Sequence, residues 1–338
     1  MTTKLGEKPL FAVVTPVYNG ARFIETALKA VSRQTYRPLV HVILDNASTD
    51  ETPDIISRYA GGAAPLLVSR NRATLPQLEN WNAAVRLIPP ETAFFKILCA
   101  DDSMAPDAVE RMMALAARAP GVSLIGGMER VNGVLRPSRL PPHIELFDAV
   151  NMLARLLDDE ARVSYPHVAY AARFARDRAA FFSGGLVGFD VEAVMRVLAQ
   201  GGTMGFVHAP IFETLHHEAS VTATVVQRSQ SFAWENLVMA ERFGPAALSN
   251  AQFRRVRRRE FQVLLRRMLL WSVANRPLFR RDLQRLRERG ITPSLFDYAR
   301  AVIGWPAHVL ERRQELARTP EPWPADAVVP HLQELSPG

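Results

Sequence analysis

The chain has 338 residues, 48% of them hydrophobic and 22% charged, with a formal net charge of +7. That is ordinary globular usage, and the length suits two domains or one domain with a large appendage. Cys99 is the only cysteine, which excludes an intramolecular disulfide and a cysteine-built zinc site, and no apolar run reaches the roughly 18 residues of a membrane-crossing helix.

Leu10 to Gly20 reads as a buried strand running into a loop, because Pro16 stops the ladder and Asn19-Gly20 turns the chain. Ala21 to Gln34 places Phe23, Ile24, Ala27, Leu28 and Val31 at helical spacing. Val40 to Asp45 is the next strand and ends on a carboxylate. Its loop, Asn46 to Pro53, is dense in capping residues, and a helix follows over 54–59. A third strand, Leu66 to Asn71, has a basic end, and a helix over 75–87 carries Leu78, Trp81, Ala84 and Val85. Phe94 to Cys99 forms the fourth strand and stops abruptly on Asp101-Asp102. With a helix over 105–119 and a strand over 122–127, the alternation predicts an α/β fold, a mostly parallel sheet flanked by helices.

From Val131 to Pro142 the chain turns to Pro, Arg and Gly and reads as a loop; 149–158 reads as a helix. Ala179 to Asp190 is a glycine-interrupted apolar stretch that ends on an acid and enters a helix over 191–199, and 205–212 reads as a late strand. After that the pattern changes to helices over 230–243, 252–274 and 280–289, with no strand among them. A boundary near residue 225 therefore separates a sheet-based part from a C-terminal helical region, and a Pro-rich tail starts at Thr319.

Three strand ends present polar groups that can converge: Asp45, then Arg70 with Asn71, then Asp101 with Asp102. Alone, the acidic pair also reads as a strand end capping the helix that begins near Pro106. In an open α/β sheet, however, the carboxyl ends of the strands form the ligand crevice, and carboxylates there suit a divalent ion held against a nucleotide diphosphate. Neither a Gly-x-Gly-x-x-Gly turn nor a P-loop is present, so dinucleotide and P-loop chemistry is not expected.

Thr15-Pro16-Val17-Tyr18-Asn19, Asp45 to Thr52, and Ala100-Asp101-Asp102, in that order, resemble the hallmarks of family 2 glycosyltransferases with the GT-A fold. The resemblance covers roughly residues 9 to 225. It implies a nucleotide-binding half over about 9–130 and an acceptor half over about 131–225, and it assigns the nucleoside-diphosphate sugar to Thr15, Pro16, Tyr18, Asp45, Arg70 and Asp101. It also implies Mg²⁺ or Mn²⁺ on Asp102 and on His217, the latter from a His-x-x-Ser loop that includes Ser220 and has Leu215 where Arg is common. Asp190 takes the position of the base of an inverting transfer, although Phe189 stands where an acid usually precedes it. Trp81 reads as core, Asp50 as a cap for the helix starting at Thr52, and Cys99 as a small buried hydrophobe.

The expected activity is thus a metal-dependent inverting transfer from a nucleoside-diphosphate sugar to a hydroxyl of a glycan or lipid-linked saccharide, in cell-surface polysaccharide synthesis. A nucleotidyltransferase and a non-catalytic binding module of the same fold are the alternatives. The basic helical region over 226–318, with Arg254 to Arg267 set among apolar residues, is read either as an inner-membrane contact of a cytoplasmic protein, as a homodimer interface, or as an appendage with a solvated Arg face. No nucleic-acid motif accompanies the charge.

Overall fold

The computed structural model describes residues 8–176, 179–218 and 230–305. Strand β1 (Phe11–Val17) is buried along its whole length because neighbours flank it on both edges and helices cover it, which is why its sequence is apolar but for Thr15. It pairs in parallel with β2 (Leu39–Asp45) and β4 (Phe94–Ile97), and β2 pairs in parallel with the outer β3 (Leu66–Arg70). Helices α1 (Ile24–Ser32), α2 (Thr52–Ser57) and α3 (Gln77–Arg86) make the crossovers. Ile24 and Leu28 of α1 pack with Val17, Ile43 and Ile56, while Ala27 and Val31 join a second core with Phe11 and Val13.

The remaining elements of this part are β5 (Ser103–Met104), α4 (Ala108–Arg118), β6 (Val122–Val131), β7 (Val134–Leu135), β8 (Leu146–Asp148), α5 (Ala149–Leu157), β9 (Ala169–Ala171), α6 (Arg173–Arg176), α7 (Phe189–Leu198) and β10 (Thr203–Thr214). The sheet runs β3-β2-β1-β4-β9-β6-β10-β5, with β7 on β6 and β8 on β10. Strand β9 is antiparallel to both β4 and β6, so the sheet is mostly, not wholly, parallel. In β10 the register shifts on both sides of Pro210, as expected of a strand proline, which cannot donate to the ladder. Beyond this irregularity β10 pairs with β5, Glu213 opposite Ser103, and its end is delivered beside the acidic pair.

Several expectations are corrected here. Helix α7 begins at Phe189, with Gly188 at its N-cap and no side-chain cap, so Asp190 sits inside the first turn and does not cap a helix starting at Val191. Strands β5, β8 and β9 were not foreseen, and the 131–142 loop contains a tight hairpin turned by Asn132 and Gly133, both at positive φ.

The chain divides into two compact units. Among described residues the first holds 8–153 and 161–216, and the second 154–160 and 217–305. The boundary expected near residue 225 and the tail from Thr319 lie outside the described residues. The second unit contains α8 (Phe232–Ala247), α9 (Asn250–Ala274), α10 (Arg276–Glu288) and α11 (Leu295–Ile303), the last not foreseen. The apolar side of α9 is the core of this unit: Val256, Leu264, Leu265, Met268 and Trp271 are buried. Several of its arginines are paired within the unit. Arg255 and Arg259 both meet the Asp158 carboxylate, and Arg257 meets Glu241 at 2.9 Å. No helix among the described residues is long and apolar enough to cross a membrane.

Candidate active site

The loops after β1, β2 and β3 are bolted together by the residues that make the sequence there so polar. Asn19, at φ 45°, donates its N–H to Ser48 Oγ (2.9 Å) and accepts from Thr49 N–H (2.8 Å). Gly20 donates to Thr52 Oγ1 at 2.9 Å, and a Cβ at Gly20 would lie 2.6 Å from Val17 Cγ2, so the Asn-Gly pair is required by close approach as well as by the turn. Asp50 accepts from Ala21 N–H (3.0 Å) and Thr52 N–H (3.1 Å), so it both supports the start of α2 and ties the first loop to the second. Asn46 Oδ1 accepts from Leu75 N–H and from Asn71, both within 2.9 Å. Much of the Asp45 to Thr52 motif is therefore scaffold.

What this scaffold positions is a cavity of about 340 Å³ whose walls include Asp45, Pro53, Ile56, Leu66, Val68 and Arg70. Asp45 is buried. Its Oδ1 accepts from Ser48 N–H at 3.0 Å, and its Oδ2 faces Arg70 Nη1 at 2.9 Å without a well-aligned hydrogen bond, leaving a sealed acceptor in the wall. Apolar walls with one carboxylate and one guanidinium suit a flat, polar-edged ring such as a nucleobase. Thr15 is placed differently from the other expected donor contacts: its side chain is buried and Oγ1 lies 2.9 Å from His41 Nε2, where burial pulls the imidazole down to about 3. The whole residue is sealed inside the sheet, so Thr15 supports the strand end and does not meet a ligand itself. Pro16 is buried in β1, and Tyr18 is 50% exposed, packing in no core.

The second focus lies past the end of β4. Among the described residues, the group that brings metal-ligating atoms together is Cys99, Asp101 and Asp102, all within 4.8 Å of one another. Cys99 is thus not merely a small hydrophobe. Burial, and then the Asp102 and Asp101 carboxylates, push its thiol well up, so it stays protonated at neutral pH and the carboxylates are the better ligands. Burial, followed by the adjacent Asp101 carboxylate, pushes Asp102 up to about 7, against the pull of Lys96 and the Leu215 N–H. Two crowded carboxylates with excess negative charge form an oxygen-rich donor set, which fits a hard divalent cation such as Mg²⁺ or Mn²⁺. His217, the other expected ligand, belongs to the second unit, where it is half-buried; Ser220 lies outside the described residues.

Beneath the acidic pair is a buried polar chain that sequence reading missed. Lys96, within β4 and fully buried, donates to Ile97 O (2.8 Å), Pro166 O (3.3 Å) and His167 Nδ1 (2.9 Å), so all three ammonium protons are used. Burial brings Lys96 down to about 8, while Asp102 pulls the other way. Burial, and then Lys96, hold His167 well below its usual range and neutral, so with Nδ1 accepting, its proton sits on Nε2. Nε2 lies 2.6 Å from Thr214 Oγ1 and 3.7 Å from Asp102 Oδ2. Thr214 passes its own hydroxyl proton to Glu129 (3.2 Å), which also accepts from Ser164 (2.7 Å). The only signal in the sequence was a lysine in the middle of an apolar strand.

Lys96→Met is expected to lower stability by about 3 kcal/mol or more, because three acceptors lose their donor and the buried Asp102 and half-buried Glu129 lose a countercharge. A calorimetric melt should show a drop of roughly 10 °C. A midpoint unchanged from that of the unmodified chain would show that the ammonium carries no structural weight.

Asp190 is half-buried in the first turn of α7, and its charge is near enough to contribute, after burial, to raising the Tyr170 phenol and, more weakly, the Cys99 thiol. Aromatic packing fixes that helix. Phe189 meets Trp81 at 5.1 Å and Phe182 at 5.4 Å, and Phe181 meets Phe95 at 5.1 Å and Tyr170 at 4.9 Å, all edge to face. Phe189, the residue that departs from the family's usual acid, is thus an anchor for α7. Asn82 holds the same segment, its amide donating to Phe182 O at 2.9 Å and accepting from Phe182 N–H at 2.8 Å.

The family model for glycosyl transferase family 2 matches residues 12–198, from β1 to the end of α7 and more than half of the chain. A Bacillus subtilis protein named as a teichuronic acid biosynthesis glycosyltransferase, TuaG, is 40% identical over 52 residues, covering 15% of this chain and 21% of that protein. A PGL/p-HBAD biosynthesis glycosyltransferase of Mycobacterium bovis is 30% identical over 96 residues, covering 28% of this chain and 37% of the relative. In both, the matched stretch spans well under two thirds of the relative. Among solved structures, S. aureus TarS 1-349 in complex with UDP-GlcNAc superposes with a TM-score of 0.62 at 15% identity over 86% of this chain and 81% of that one. A mannosyltransferase from Pyrobaculum calidifontis, PcManGT, in complex with GDP-Man and Mn²⁺, gives 0.54 at 18% identity over 93% and 84%. At these identities the likeness bears on the fold, and it is a GT-A fold.

Proposed function

Since the chain belongs to glycosyl transferase family 2, we propose that it transfers a sugar, with inversion, from a nucleoside-diphosphate sugar to a hydroxyl of a saccharide or lipid-linked saccharide. The observation that carries this reading is the placement of two carboxylate sites along the same strand ends: the Asp45 cavity, with apolar walls and Arg70, and the Asp101-Asp102 pair. The reading assigns the base to the walls formed by Asp45, Ile56 and Arg70, with the exposed Tyr18 alongside; Thr15 and Pro16, buried in β1, hold that strand end in place. Asp101 faces the ribose or the ion. Asp102 would hold Mg²⁺ or Mn²⁺, which when bound would offset the charge developing on the departing diphosphate.

Asp190 accepts the proton of the attacking hydroxyl in this scheme. Lys96 and His167 act on the chain itself: they hold Thr214, and through the strand end the Leu215 N–H, against Asp102. The names of the relatives, which include teichuronic acid and PGL/p-HBAD biosynthesis, support an acceptor that is a surface polymer or glycolipid. The test is incubation of the full chain with Mn²⁺ and a panel of sugar nucleotides, reading thermal stabilisation and nucleotide release. One or a few donors should stabilise the protein and be slowly hydrolysed; a panel on which no donor does either would sink the reading.

A further inference from the structure

We propose that α11 and the end of α9 form a docking face for an anionic lipid surface. The inference rests on the second unit alone and goes beyond the assignment of the transfer reaction. Helix α11 turns Ala301 inward, with Asp297 and Tyr298 half-buried beside it, and Arg266 Nη1 of α9 donates to Ala301 O at 3.0 Å. Its other side is two adjoining ridges that point to solvent: Leu295, Ala299 and Val302, then Phe296, Arg300 and Ile303. Leu295 is 89% exposed, Phe296 72% and Ile303 78%, and Trp305 follows, also exposed.

On α9 the ridge that starts at Arg266 continues through Leu270 and Val273, 64% and 88% exposed. Single exposed apolar residues are ordinary, but large ones gathered on two touching helices are not. The helix carrying most of them is set in shape beforehand, since Ser294 and Asp297 form a capping box at its start.

Charge selects the occupant. Residues 232–305 contain 15 Arg and 6 acidic residues and no Lys. Three of the acids, Glu235, Glu260 and Asp282, are buried, and the Asp297 carboxylate is tied to Ser294 at the start of α11. The outward face therefore presents Phe, Ile, Leu and Trp with Arg300 in their midst and Arg267 on the neighbouring helix. Apolar side chains that enter the acyl boundary beside arginines that meet lipid phosphates are the pattern of an interfacial helix lying in the membrane plane. A second copy of the same face would bring arginine against arginine.

The full chain is sedimented with vesicles of phosphatidylcholine alone and of phosphatidylcholine and phosphatidylglycerol in equal parts, with neither donor nor metal present, so that a failure of the transfer reading leaves the result untouched. The chain should partition onto the mixed vesicles and not onto phosphatidylcholine alone. The double variant Phe296→Ser/Ile303→Ser should bind about tenfold more weakly or worse, and Arg300→Gln about fivefold more weakly, each with its thermal melt preserved. Absence of binding to the mixed vesicles, equal binding by the unmodified and both variant chains, or a dimer in sedimentation equilibrium that the double variant loses while vesicle binding persists would each overturn the proposal.

Discussion

Asp102→Asn is expected to lower kcat/KM for sugar transfer by about three orders of magnitude, with the fold intact. The size follows from the chemistry: stabilising charge on a leaving diphosphate contributes several kcal/mol, and each 1.4 kcal/mol or so is tenfold in rate. The variant should not unfold, because the native Asp102 is a burden to the fold. Burial and Asp101 hold its carboxyl up at about 7, so ionising it in the folded chain is unfavourable. An acid whose pKa is raised on folding is stabilising to keep protonated and loses stability as pH rises from its unfolded value toward about 7. Asn removes that penalty and keeps an acceptor for the Leu215 N–H, so its melting temperature at pH 8 should equal or exceed that of the unmodified chain. The same sign gives a second readout: a divalent ion competes with the Asp102 proton, so Mn²⁺ affinity should fall as pH drops below about 7. Full activity in Asp102→Asn, or Mn²⁺ affinity indifferent to pH in this window, would remove the residue from the metal site.

The parallel centre of the fold was legible because β1, β2 and β4 are buried on both faces and the longer crossover helices carry an apolar stripe; these elements differ from expectation only at their ends. The antiparallel insert β9 was not legible. Ala169-Tyr170-Ala171 is too short for any period to show, and it is a strand only because β4 and β6 sit on either side of it. Helix α11 was passed over for a related reason, since its apolar residues face outward and no inward stripe announces it.

At the site, the carboxylates were legible because strand ends collect ligand chemistry in this kind of sheet. Their support was not. His167, Glu129 and Thr214 come from three separate elements, and nothing in the linear order links them to Lys96. The dense polar loop over 45–52 was legible as capping residues, and Asn46, Ser48, Asp50 and Thr52 do hold the loops together, though which loop each one ties was not readable. Asp45 is the member of that loop that lines the cavity.

Asp190→Asn should separate binding from transfer. The carboxylate stands in the first turn of a ten-residue helix, where the ends of the peptide dipoles favour negative charge, and the Phe189 anchor keeps that turn in place whether residue 190 is charged or neutral. The amide is close to isosteric with the acid, so helix and donor cavity are left as they were. What Asn cannot do is accept the proton of the acceptor hydroxyl, and loss of a positioned general base costs about a hundred- to ten-thousandfold in kcat. The donor identified by the panel should therefore stabilise Asp190→Asn against heat as much as it does the unmodified chain, while sugar transfer falls by that factor. Slow donor hydrolysis should fall less, because a mobile water can hand its proton on to bulk solvent, which a saccharide hydroxyl held in one orientation toward Asp190 cannot. If Asp190→Asn instead weakens the thermal response to donor and still transfers sugar once the donor is saturating, the carboxylate is a donor contact, and the base must be sought on another element.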